Sequence, residues 1–202
     1  MVHFIKSLIK PTIIFSIGLF ITIIIAYLIS AKIGYDPEKL FDDLQIENKT
    51  DKDSSAFNIS LALFNNNIQV PAQILFLAII PVPFLYTIVL LSNGITIGMV
   101  FYIYQTIQLS TKKGDPLSAM ILKGFLPHAV IELLGFIIAT ALAFRINQWI
   151  VKRIIHFFKK KKEDHHSFKQ LVMYTAFVSF GIILPLIILA ALIEGYVTPL
   201  LL

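Results

Sequence analysis

A histidine and a glutamate stand four residues apart in Leu126-Pro127-His128-Ala129-Val130-Ile131-Glu132, at the start of a strongly apolar segment. Helical geometry puts both on one face. Ionisable groups inside a membrane span are costly and commonly mark an ion path, a proton relay or a partnered polar contact. Three chemistries fit the pair: a structural hydrogen-bonded contact helped by the helix dipole, a site for an ion, proton or polar ligand, and catalysis. A lone histidine with one or two carboxylates can also bind zinc, but a metal centre needs three or four ligands, so the metal content stays open. The chain lacks H-E-x-x-H, G-x-S-x-G, a glycine-rich phosphate loop and a paired-glutamate E-E-x-x-x-R element. We therefore expect no enzyme and no cofactor.

The elements that position this pair are membrane spans. Hydrophobic residues make up 57% of the 202 positions and charged residues 14%, with a mean hydropathy of +0.81. Because a crossing takes about 20 apolar residues, the chain has room for several spans and no soluble catalytic domain. The net charge of +5 is explained by lysines that fix orientation, so nucleic acid is not an expected partner. There are no cysteines, which excludes disulfides and thiolate chemistry.

The pattern predicts an all-α, polytopic bundle forming a single integral domain over 1–202, with five spans at about 11–30, 57–80, 84–107, 128–150 and 168–197. The first reads as an uncleaved span, being longer than a signal core and lacking a small-x-small cleavage site. Pro127 reads as the first turn of the fourth helix, Leu117 to Leu126 as a short interfacial helix before it, and Pro185 as a kink in the fifth. A polar loop at 31–56 carries seven acids against four lysines, and a basic loop at 151–167 carries Lys159, Lys160, Lys161 and Lys162, followed by His165 and His166. That lysine run reads as a topology determinant that also attracts anionic headgroups. The two histidines beside it read as solvated loop residues.

With the N-terminus inside, the inner side receives Lys6, Lys10, Arg145, Lys152, Arg153, Lys159 to Lys162 and Lys169 against Glu163 and Asp164. This bias predicts N-inside and C-outside. His128, Glu132, Asn65, Asn66 and Glu194 then fall toward the outer leaflet, and with Asn93 they form the expected polar interhelical cluster. Gly94 and Gly98, and the face of Gly135, Ala139 and Ala143, are small residues at helical spacing, expected to pack within the chain or between copies.

Phe64-Asn65-Asn66, Asn93-Gly94 followed by Gly98, and Pro127-His128 with Glu132 together resemble the stage II sporulation protein M family over about residues 57 to 150. Ala129 departs from it, since the family often has glycine after the histidine. The resemblance implies a non-enzymatic, multi-pass protein of the bacterial cell membrane whose partners are the lipid bilayer and other membrane or envelope proteins. In spore formers, members scaffold a complex whose other two members, sporulation proteins D and P, cut peptidoglycan. Others of similar size sit in circular bacteriocin clusters, linked to peptide export or self-protection. Both roles fit these residues.

Overall fold

The computed structural model describes residues 2–34, 55–111, 116–159 and 168–201. Five helical rods form an all-α bundle: α1 (Val2–Ile33), α2 (Ala56–Leu77), α3 (Thr87–Thr111), α4 (Leu117–Lys159) and α5 (Phe168–Leu201). Four of these, α1, α3, α4 and α5, are long and apolar enough to cross a membrane. At 22 residues, α2 is about 33 Å long, enough for a crossing, but its four asparagines and two glutamines lower its hydropathy. It packs against α4 and α5 along the bundle as the fifth rod.

The chain runs up and down. At one end the Arg145 guanidinium donates from Nη2 to the Ser7 carbonyl at 2.6 Å, and Phe4 stacks on Tyr174 with centroids 4.9 Å apart. Trp149, with Arg153 over its ring, closes the same end against Phe168. There too the buried Asn147 amide donates to Ala78 O (3.1 Å) and Ile80 O (2.7 Å). Those carbonyls end α2 at a turn holding Pro81, Pro83 and Phe84, whose φ of 63° is left-handed. At the other end the Tyr27 hydroxyl donates to the Gln105 side chain, and Phe101 meets Phe125 edge-on at 5.0 Å.

The centre is α4, which touches all four other rods. Half of its most apolar stretch is buried, against 11% for α1. Gly135, Ala139 and Ala143 are buried, and a Cβ on Gly135 would stand 3.0 Å from Ile187 Cδ1 of α5. The small face of α4 therefore receives α5, as expected for a close helix contact. Gly94 and Gly98 serve the contact of α1 with α3. A Cβ on Gly94 would lie 2.9 Å from Leu19 Cδ1, and one on Gly98 would overlap the Ile23 carbonyl and lie 2.8 Å from Ala26 Cβ.

Two sequence expectations change here. The segment 117–126 is not a separate interfacial helix, and Pro127 does not begin one: α4 runs unbroken from Leu117. A π turn at Ile121–Phe125 makes this possible, with the Leu126 amide donating to Ile121 O. A proline lacks an amide and pushes its ring against the carbonyl one turn back; the wider turn makes room for that ring. The same device recurs in α5, where π turns at Ser179–Ile183 and Ile193–Val197 precede Pro185 and Pro199. Pro185, where a kink is expected, follows one of these π turns. Both loops differ from expectation in extent: α1 continues to Ile33 and α4 to an exposed Lys159, while Lys160, Lys161, Lys162, His165, His166 and residues 35–54 of the acidic loop lie outside the described residues.

Gly98→Ala should force α1 and α3 apart at a rigid backbone carbonyl, an overpacking that costs about 1–3 kcal/mol. Gly18, with open space where its Cβ would be, is the matched control: Gly18→Ala should leave stability unchanged or raise it by about 0.5–1 kcal/mol. Thermal unfolding in detergent compares the two, and equal unfolding temperatures would contradict the close approach.

Candidate functional site: a polar junction between α4 and α5

Two π turns, one on each of the two longest apolar rods, carry the junction. The short helical end after the α5 turn, Thr198–Leu201, packs on the α4 turn. His128 follows Pro127 by one residue, and Thr198 precedes Pro199 by one. The proline devices therefore bring these two side chains together.

Thr198 Oγ1 lies 3.4 Å from His128 Nδ1 and also 3.4 Å from Ile193 O. A hydroxyl has one proton to give. Directed at the Ile193 carbonyl, it leaves its oxygen to accept the Nδ1–H of the imidazole. The other ring nitrogen, Nε2, faces Glu194 Oε2 at 3.8 Å, an ion-pair distance rather than a hydrogen bond. Phe125, inside the α4 π turn, meets the imidazole edge-on at 6.1 Å. Side-chain exposure is 12% for His128 and 28% for Glu194, so the pair is largely enclosed but not sealed.

Glu132 lies one turn along α4 and is partly buried. One imidazole and one carboxyl thus meet at the junction, with a second carboxyl one turn away on α4. Chemically this is a site that can hold a proton or a positively charged group. Among the described residues no set of three or more His, Cys, Asp or Glu side chains is arranged to hold a metal ion.

Against the start of α2 the α5 turn packs backbone to side chain. A Cβ on Gly195 would overlap Ser60 Oγ and stand 3.0 Å from Ala56 O. Only glycine admits this contact. Ser60 itself is 4% exposed, and among the described residues its hydroxyl has no hydrogen-bond partner.

Of the residues expected to cluster, His128 and Glu194 come together, with Glu132 one turn from His128 on α4. Asn65 and Asn66 do not join them: both are exposed on α2, and the Asn65 carbonyl accepts from Gln69 Nε2 of its own helix at 3.1 Å. Asn93 turns back on α3, donating to Val89 O at 2.8 Å, beside the Gly94 contact with α1. Thr198, Ser60, Gly195 and Phe125 complete the junction without having been singled out from sequence. The available signal was adjacency: Gly195 follows Glu194, and Thr198-Pro199 repeats the polar-proline pairing of Pro127-His128. Asn147, which ties α4 to the end of α2, was also missed, although an amide in an apolar run invites a search for the carbonyls it serves.

A model of the stage II sporulation protein M family matches residues 12–199. The chain belongs to that family. The match runs from Thr12 in α1 to Pro199 in α5. With its apolar helices, this stage II sporulation protein M relative is a multi-pass membrane protein. No curated protein and no solved structure gives a significant match.

Gly195→Ala should wedge α5 from α2 and lower the unfolding temperature. Adding Ser60→Gly removes both the Oγ and the Cβ that the new methyl would strike, and should recover most of the loss. A double variant no more stable than Gly195→Ala alone would show that the close contact is not what matters at this position.

Proposed function

We propose that this chain is a non-enzymatic scaffold of the bacterial cell membrane, oriented with its N-terminus inside, that holds envelope-acting proteins such as peptidoglycan hydrolases through its acidic loop. The observation that carries the reading is the use made of the most reactive-looking residues. His128, Glu194 and Thr198 face one another across two rods, which is what a rigid platform requires. Family membership over residues 12–199 is in keeping with this.

Charge supports the orientation. The end with Lys6, Lys10, Arg145, Lys152, Arg153, Lys159 and Lys169 is strongly basic, as expected of a cytoplasmic side. α1 ends and α2 begins at the opposite end, the end of the His128 junction. The acidic composition of residues 35–54, which join the two rods, suits a docking element.

The facing of an imidazole and a carboxylate across the junction favours one other reading, a transport or immunity component for a circular bacteriocin with a site for a proton, cation or peptide. The two readings separate in one experiment. Residues 31–56 are replaced by a neutral Gly/Ser segment of equal length, and in a second strain His128 is changed to Ala. A scaffold loses co-purification of a peptidoglycan hydrolase with the loop variant while remaining inserted at the normal level. Recruitment that survives loop replacement contradicts the scaffold, and loss of protection or export in His128→Ala at normal protein level assigns the second role.

A further inference from the structure

We infer that the outward face of α2 is a self-association surface, on which two copies of this chain pair inside the bilayer through side-chain amides. The inference stands on the placement of the asparagine and glutamine residues and does not depend on the scaffold reading.

On a helical wheel, Asn58, Ala62, Asn65, Asn66, Gln69 and Gln73 occupy one stripe of α2, and all six are exposed. Opposite it lie Ser60, Pro71 and Ile74, which are buried against the bundle. Because α2 is held on that inner face by α4 and α5, it cannot rotate to hide its amides. From Asn58 to Gln73 the stripe covers about 22 Å of helix, most of a hydrocarbon core roughly 30 Å thick. Asn65, Asn66 and Gln69 fall at its middle, and a crossing of the hydrocarbon core by α2 would leave them without water. A polar face of this length in lipid calls for a partner.

The chemistry of the stripe selects the partner. Each amide presents an acceptor oxygen and two donor hydrogens, so a row of amides is complementary to another such row. Residues Ala56 to Leu77 include no Asp, Glu, Lys or Arg, so no charge repels a second copy or recruits an oppositely charged protein. A two-fold axis beside Asn65 and Asn66 would set amide against amide in an isologous contact, with Ala62 allowing close approach. The glycine faces that compete for such a role are already filled within the chain: Gly94 and Gly98 by α1, and Gly135 by α5.

The absence of cysteine makes the test direct. Single-cysteine variants Ala62→Cys and Gln69→Cys are oxidised in native membranes, with Phe20→Cys, exposed on the outer side of α1, as the control. The inference expects a product at twice 22.8 kDa from both stripe positions and several-fold less from Phe20→Cys. A second arm adds Asn65→Leu and Asn66→Leu to Ala62→Cys; these changes make α2 more apolar and keep it insertable, and they should reduce the cross-linked fraction several-fold. Cross-linking no greater than the Phe20→Cys control, or unaffected by the leucines, overturns the inference. So does labelling of the stripe cysteines by a membrane-impermeant maleimide without dimer formation, which would make the stripe the wall of a water path.

Discussion

A carbonyl released by proline in the hydrocarbon core has no water to accept from, and this constraint shapes the two longest apolar rods. In α4 and α5 the chain meets it three times with the same solution, a π turn whose following amide reaches back five residues, just ahead of Pro127, Pro185 and Pro199. The extra residue in each turn shifts the face on which the next residues fall. Two of these shifts deliver His128, Glu194 and Thr198 to a common point. The polar junction is therefore a product of backbone hydrogen bonding, with the side chains completing what the prolines began.

From this junction the rest of the bundle can be followed. Gly195 lets α5 lie on the first turn of α2, and the small face of Gly135, Ala139 and Ala143 lets α5 settle against α4 farther along. At the opposite end Asn147 and Arg145 tie α4 to the end of α2 and the start of α1 through backbone carbonyls. Polar side chains at both ends thus bracket an apolar middle, in which packing of Phe136, Leu142 and Ile187 does the remaining work.

Much of this arrangement is legible in the sequence because it depends on residue size and on depth. Gly94 and Gly98 announce a close contact since any larger residue would prevent it, and counting crossings brings His128 level with Glu194. What is not legible depends on rotation and on backbone irregularity. Which side of α2 faces the bundle is decided by how Ser60, Pro71 and Ile74 fit α4 and α5, and this turns Asn65 and Asn66 outward instead of into the cluster. Pro127 resembles a helix start because local rules cannot foresee that five preceding residues will widen into a π turn. Asn93 satisfies itself on the preceding turn, an option open to any asparagine in a helix.

The central claim is that His128 and Glu194 act as one joint between α4 and α5. A double-mutant cycle of His128→Ala and Glu194→Ala, read as unfolding free energy in a membrane-mimetic detergent, tests it most directly. A joint predicts that the two changes are not additive, with a coupling on the order of 0.5–3 kcal/mol as found for residues in contact. Additive losses, or no loss from either change, would contradict it.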